Sequence, residues 1–314
     1  MIEKRRILVT AISGDVANGI LKVLSKCDDE TYGCDINDYP VGMDKVKVYW
    51  KSLLAVHEDY VSDMLEKCHK HNITHLIPVN EKEIEVVSKN INLFKDNGIK
   101  VVINSEDILE RFLDKKLTFD KLSDIEGISV PKTMIPSEFN EDGKKYIVKP
   151  RKSCGSKDIR IITSKYELKD VETQGQIVQE YIGNNNDEYT VGVFSNGNTI
   201  DTIIFKRKLQ HGYTSFVELV EDESIVEDAK RIAESINLKG YINLQLRKKE
   251  NKNYIFEINP RISGTVYFRD MLGFRDVVWW LDLLDEKDEH VYKQEYKKAI
   301  GMRELREKYV VLEK

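Results

Sequence analysis

The sequence predicts an α/β fold running into an α+β fold, on three observations. Over roughly the first 104 residues, short β-rich runs alternate with helical ones, the order that builds βαβ units around a parallel sheet. Beyond that point the rhythm changes to hairpin-forming strands mixed with helices. The length, 314 residues, suits two or three compact lobes.

The elements follow in order. RILVTAI at 6–12 is a first strand, and SGDVANG leads from it into the helical pattern ILKVLSKC. TYGCDI at 31–36 is a second strand that ends near an aspartate. A helix over 58–71 leads to a strand at 74–79, a helix at 81–95 and a strand at 99–103. Residues 106–124 read as helix, YIVKP at 146–150 as strand, RKSCGSK as loop, then DIRIIT and QIVQEYI (176–182) as strands. Segments 187–194 and 199–207 flank SNGN, a hairpin signal. A helix at 223–236 feeds YINLQLR and then NYIFEIN.

Composition narrows the class. With 41% hydrophobic and 33% charged residues, 17 glycines and 6 prolines, the chain has material for a core and too much for disorder. A formal charge of −5 supplies no basic field to attract nucleic acid or an anionic membrane. The local cluster KKYIVKPRK at 144–152 can still bind a small anion. Cys27, Cys34, Cys68 and Cys154 form no CxxC pair, so reduced thiols are expected. No apolar run approaches the roughly 20 residues of a membrane span. The start MIEKRRILVT enters a strand without the apolar core of a secretory signal, so a cytoplasmic location is expected.

The stretch YIFEINPRISGT at 254–265 carries the chemical signal. Side chains two apart in a strand share a face, so Ile255, Glu257 and Asn259 are expected on one side, with Phe256 and Ile258 pointing into a core. A carboxylate among apolar neighbours is costly unless a cation or donor meets it. A hairpin of 241–247 with 254–259, joined by KKENKN, puts residue 245 opposite 256 or 257. Gln245, sharing a face with Tyr241 and Asn243, then comes alongside Glu257 and Asn259. One carboxylate flanked by two amide oxygens is a hard-oxygen set suited to Mg²⁺ that borrows phosphate oxygens. A solvated sheet face is the alternative for the same three residues.

The ordered array of motifs resembles the ATP-grasp superfamily, in the branch similar to the large chain of carbamoyl-phosphate synthetase. Residues 7–24 resemble its leading strand and loop, HLIPVNEKEIEVV (75–87) its proline-then-acidic segment, and LDKKLTFDKL (113–122) its Asp-Lys helix start. YIVKP resembles its lysine strand, VQEYI followed by DEYTVGVF its hinge and ribose-contacting strand, and Gln245…FEINPR…SGT its C-terminal set. The resemblance implies a pre-ATP-grasp domain at 1–104, a small lobe at 105–180, and a large lobe with a helical tail at 181–314.

Roles follow residue by residue from the resemblance. Lys115 and Lys149 would hold nucleotide phosphates as compact point charges. The hinge Glu180, Tyr181 and Ile182 would face the adenine edge, and Glu188 would accept from the ribose hydroxyls. Gln245 and Glu257 would hold one Mg²⁺, with Mn²⁺ as the alternative ion, and Glu257 with Asn259 a second. Arg261 would meet the transferring phosphoryl group, a task suited to a guanidinium fork. Lys206 and Arg207 stand where the family places a basic phosphate contact. The phosphate loop departs from the pattern: RKSCGSK holds only Gly155, with Ser153, Ser156 and Lys157 as substitute donors and Cys154 as a small filler.

The implied activity is ATP-dependent ligation of a carboxylate to an amine or thiol through an acyl phosphate, releasing ADP and phosphate. Alternatives are a carbamoyl-phosphate-synthetase-like half that needs a partner, and a non-catalytic nucleotide-binding sensor or assembly protein. The partners implied are ATP and small carboxylate and amine substrates, with no nucleic acid or membrane and a homodimer as one allowed assembly. TAISGDVANG with Asp35 mimics a dinucleotide fingerprint, yet has Gly14 and Gly19 rather than GxGxxG. Cys68, His69, His71 and His75 resemble a metal set but divide between a helix end and a strand, and Trp279 and Trp280 read as packing. Arg269 and Arg275 are candidates for a substrate clamp or for surface charges.

Overall fold

The computed structural model describes residues 4–152, 159–168, 174–183, 187–210, 212–287 and 290–304. In chain order these form β1 (Arg6–Val9), α1 (Asp15–Leu24), β2 (Glu30–Asp35), β3 (Tyr49–Lys51), α2 (Tyr60–His71), β4 (His75–Ile77), α3 (Glu81–Lys89), α4 (Ile91–Asp96) and β5 (Lys100–Val101). Next come α5 (Glu106–Phe112), α6 (Lys115–Ser123), β6 (Thr133–Met134), β7 (Tyr146–Pro150), β8 (Arg160–Ile162), β9 (Gln176–Glu180), β10 (Glu188–Ser195), β11 (Ile200–Gln210) and β12 (Tyr213–Val220). The last are α7 (Glu223–Ser235), β13 (Gly240–Lys249), β14 (Lys252–Asn259), α8 (Val266–Met271), α9 (Asp276–Leu284) and β15 (Ile300–Met302).

The described residues divide into two compact units. One comprises those through Ile103, Arg261–Tyr296 and those from Gly301; the other is Asn104–Pro260 with Lys297–Ile300. The first unit is built on a parallel sheet in the order β3-β2-β1-β4-β5. Leu8, Tyr32, Cys34, Tyr60, Met64 and Phe94 fill its core. The helix expected over 81–95 is two. Asn90 ends α3 with φ −114° and ψ 17°, and its side-chain amide donates to Val86 O at 2.9 Å. Short polar side chains that bond nearby backbone favour such breaks.

Gly19 explains a helix-interior glycine. A Cβ there would lie 2.5 Å from Val266 Cγ1, so the missing side chain lets α1 approach α8. Gly19→Ala is expected to cost about 1–2 kcal/mol, overpacking outweighing the gain in helix propensity. Denaturant titration checks it, and Val266→Ala in the same chain should recover the loss.

Asp285 is the charge hub of this unit. Arg5 Nε donates to it at 2.6 Å, Lys100 Nζ at 2.6 Å, and His75 Nε2 lies 3.1 Å away. Burial alone would raise its pKa, but hydrogen bonds from Lys100 and Arg5 hold the carboxyl far below the usual range. A depressed carboxyl stabilises above its unfolded pKa, near 4, and the contribution disappears as pH falls through the folded value. Asp285→Asn is therefore expected to cost about 1–2 kcal/mol near neutrality and progressively less toward pH 3, read from unfolding midpoints across pH.

The second unit holds two antiparallel arrays. A four-stranded sheet runs β6-β9-β7-β8, and a larger one runs β14-β13-β10-β11-β12 with β15 at the far edge. Helices α5, α6 and α7 cover one face of the larger sheet through Phe112, Phe119, Leu122, Ile225 and Ile232, packed against Val191, Val193, Ile242, Leu244 and Leu246. The expected helix at 106–124 breaks at Asp114. This residue leaves helical geometry (φ −112°, ψ 113°) and caps α6 by accepting from Lys116 N at 2.9 Å. A smaller core of Met134, Phe139, Tyr146, Val148, Ile162 and Val178 backs the four-stranded sheet. Among the described residues no helix is long and apolar enough to cross a membrane.

Candidate active site

A cavity of about 470 Å³ opens within the second unit. Its apolar walls are Pro131, Ile147, Ile159, Ile182, Leu209 and Phe256. Five cations, Lys115, Lys149, Arg207, Lys208 and Arg247, face three carboxylates, Glu180, Glu188 and Glu257. An apolar slot with an excess of positive charge suits a flat group carrying a polyanion.

The hairpin of β13 and β14 supplies one wall. Gln245 pairs directly with Glu257, and Asn243 with Asn259. Asn259 Nδ2 donates to Glu257 Oε1 at 3.1 Å, so carboxylate and amide are within reach of one small ion. Two sequence expectations need correction here. The six-residue connection is a two-residue turn: Lys249 pairs with Lys252, and Glu250 and Asn251 take φ of 52° and 59°. The face assignment also changes. The register shifts between Gln245 and Leu246, so that Leu246 meets Ile255 and Phe256 is the extra residue of a β-bulge. Ile255 and Ile258 therefore both enter the core, while Phe256 and Glu257 line the cavity.

Lys149 extends from β7 beside Ile147, opposite in phase to the buried Tyr146 and Val148. It is only 6% exposed, and its Nζ donates to Gln179 Oε1 at 2.8 Å and Phe256 O at 3.3 Å. Burial, against the pull of nearby Glu257, lowers its pKa to about 8. Glu188, on β10, sits between two cross-strand arginines. Arg207 Nε and Nη2 donate to its Oε1 at 2.9 and 2.7 Å, and Arg247 Nη2 to its Oε2 at 3.0 Å. Arg207 Nη2 also donates to Gln245 Oε1 at 2.7 Å, joining the carboxylate to the oxygen set. An amide oxygen has two lone pairs, so Gln245 keeps one for a cation.

Comparison with known proteins decides the family of this unit. Residues 112–265 match the ATP-grasp domain family. This chain carries an ATP-grasp domain. It is 25% identical over 202 residues to a tyramine–L-glutamate ligase of Methanocaldococcus jannaschii, covering 62% of this chain and 58% of that protein. It is 22% identical over 198 residues to the C-terminal section of a carbamoyl phosphate synthase large chain of Aquifex aeolicus, covering 55% of this chain and 36% of that protein. The chain thus spans about a third to a little over half the length of these curated relatives. A crystal structure of N5-carboxyaminoimidazole synthetase from Staphylococcus aureus complexed with ADP superposes with TM-score 0.76 at 14% identity, covering 96% of this chain and 83% of that one. At such identity the likeness is one of fold.

Of the residues expected to serve the ATP-grasp domain, the cavity brings together Lys115, Lys149, Glu180, Ile182, Glu188, Arg207, Gln245 and Glu257. Asn259 adjoins them through its bond to Glu257. In the hinge, Glu180 N and Tyr181 N donate to Lys132 O and Lys145 O, and Lys144 pairs with the Glu180 carboxylate at 3.0 Å. Lys206 points away from Arg207 on its strand, meets Asp187 at 3.2 Å and does not line the cavity. Arg261 belongs to the first unit, where its Nη2 meets Glu81 Oε1 at 3.0 Å. Gly155 and Ser156, with Ser153, Cys154 and Lys157, lie outside the described residues.

The other flagged groups find structural partners. Arg269 is neither clamp nor surface charge: it is fully buried, with Nη2 donating to Asp276 at 2.8 Å and Nη1 to Ser263 at 2.8 Å and Thr265 at 2.6 Å. Arg275 pairs with Asp270. The Asp35 carboxylate accepts from Ser13 N at 2.7 Å and Asn37 N at 2.9 Å, so it is held by its own loops. His71 stacks on Trp50 at 5.2 Å while His69 bonds Asn97, which disperses the Cys/His group. Among the described residues no three His, Cys, Asp or Glu gather as a metal set. A metal at the hairpin therefore relies on one carboxylate, two amides and oxygens from a substrate, a set that fits Mg²⁺.

Sequence reading missed Arg247 and the side chain of Gln179, which it took only as backbone of a hinge at 179–182. Arg247 stands between the rings of Tyr181 and Phe256, 5.2 and 5.1 Å from their centroids, and donates to Ile182 O at 3.2 Å. The period of β13 was a usable signal, since Arg247 follows Gln245 by two residues.

Proposed function

We propose that the chain is an ATP-dependent, ADP-forming ligase that joins a small carboxylate to an amine or a thiol through an acyl phosphate. The observation that carries this reading is the facing pair Gln245–Glu257 in a cavity whose buried Lys149 has no carboxylate bonded to it among the described residues. Nucleotide binding alone needs neither that oxygen set nor so costly a buried cation. A relative named as a tyramine–L-glutamate ligase supports carboxylate–amine chemistry.

In this reading residues 105–180 and 181–260 are the two lobes that grip the nucleotide. Ile147, Ile182 and Phe256 enclose the base beside the hinge, and Glu188, fixed by its arginines, accepts from the ribose. Lys149 and Lys115 hold phosphate oxygens. Gln245, Glu257 and Asn259 hold Mg²⁺, which when bound neutralises the charge that spreads over the transferring phosphoryl group. A substrate carboxylate oxygen attacks the γ-phosphorus and ADP leaves; the amine or thiol then displaces phosphate from the acyl carbon. Positioning and electrostatics supply the acceleration without a protein nucleophile.

The test is a phosphate-release screen of the pure protein with MgATP against paired carboxylates and amines or thiols, identifying the nucleotide product. ADP and phosphate that appear only when both substrates are present support the reading. AMP with pyrophosphate overturns it.

A further inference from the structure

A charged amine buried among apolar walls needs something to aim it. For Lys149 the aiming groups are neutral: Gln179 Oε1 and Phe256 O, two acceptors for three N–H donors. Neutral acceptors orient the charge without cancelling it, and two fixed directions determine the third. The Phe256 carbonyl is available because Phe256 is the extra residue of the bulge.

The direction of Gln179 is itself determined. Thr133 Oγ1 donates its only proton to Pro131 O at 2.9 Å, so towards Gln179 it can only accept. Gln179 Nε2 donates to that oxygen at 2.9 Å, and the amide then has one way to face, with Oε1 toward Lys149. Gln179 is 2% exposed and paired in register with Thr133 across β6 and β9, so the two side chains meet inside the protein. A proton-ordered chain runs from Pro131 through Thr133 and Gln179 to the ammonium.

We propose that Gln179 is a positioning residue that holds the Lys149 ammonium aimed at the phosphate chain of the nucleotide, with Thr133 fixing its orientation. This rests on the nucleotide reading of the cavity given above. Loss of the amide oxygen would cost the protonated lysine an acceptor and leave its charge undirected. Replacement by a carboxylate would keep the direction but cancel the charge.

Two measurements separate the proposal from the reading beneath it. The first follows the Lys149 ¹³Cε resonance in the unliganded protein across pH, assigned by its loss in Lys149→Met. Gln179→Leu should lower the midpoint by about one unit, since one hydrogen bond to the ammonium is removed, and Gln179→Glu should raise it. The second is the affinity for MgADP by calorimetry. Gln179→Leu should weaken it about tenfold, and the alkaline loss of affinity should follow the shifted midpoint. Thr133→Val leaves the glutamine in place and removes the acceptor that orients it; a smaller shift in the same direction is expected, and this variant decides the matter should Gln179→Leu fail to fold. A Lys149 midpoint and MgADP affinity unchanged in folded Gln179→Leu or Thr133→Val overturn the proposal. Wild-type protein that does not bind MgADP overturns the nucleotide reading instead, and the titration still reports on Gln179.

Discussion

Glu257→Ala is expected to abolish turnover, lowering kcat by at least about 10³-fold, because it removes the only carboxylate of the oxygen set. The fold should survive. Glu257 lines the cavity while its neighbours Ile255 and Ile258 hold the core, so the midpoint of unfolding should move by no more than about 0.5 kcal/mol. The acid also supports the charge of Lys149, so its loss should move the lysine midpoint below its present value of about 8. Glu257→Gln keeps the shape and should be nearly as inactive, which separates charge from packing. Activity within a fewfold of wild type at ordinary Mg²⁺ would remove the hairpin from the mechanism.

The second large effect is on stability. Glu188 is 7% exposed and separates Arg207 and Arg247, whose side chains are 10% and 12% exposed. Glu188→Ala leaves two half-desolvated guanidinium groups facing each other, at a cost of about 3 kcal/mol or more. The bonds to Gln245 and Ile182 cannot compensate, since they satisfy donors but not charge. Guanidinium or urea titration measures the loss, and adding Arg207→Leu should recover part of it by removing one of the opposed charges. A Glu188→Ala protein within about 1 kcal/mol of wild type would show that solvent reaches the arginines freely.

Much of the architecture could be read from the sequence because it rests on local periodicity. The alternation of strands and helices through Val101 and the strand YIVKP, found at Tyr146–Pro150, carry their own signals. The break at Asn90 did not register, and the one at Asp114 showed only in the resemblance of LDKKLTFDKL to a helix start, since a capping side chain inside an otherwise continuous helical pattern looks like an ordinary polar position. At the site, Gln245 opposite Glu257 could be anticipated from hairpin arithmetic, whereas Phe256 could not. A bulge is decided by how two strands settle on a shared core, which no single strand reveals. The side chain of Gln179 was hidden for the same reason: it acts on Lys149 of another strand, a partnership that leaves no spacing in the chain. The burial of Arg269 depends on Asp276 seven residues later, a separation that a turn between α8 and α9 must close.

The extra residue in β14 makes strand length a constraint in its own right. Excising Phe256 would restore simple alternation and leave Glu257 and Ile258 on the faces they already hold, but it would strip the cavity of one ring and Lys149 of the carbonyl its Nζ donates to. Tolerance to insertion and deletion should therefore fall along this hairpin, from its exposed Glu250–Asn251 tip to the residue that supplies this carbonyl. Sequences drifting from a common ancestor would have to preserve this count of residues even where they exchange every apolar side chain around it.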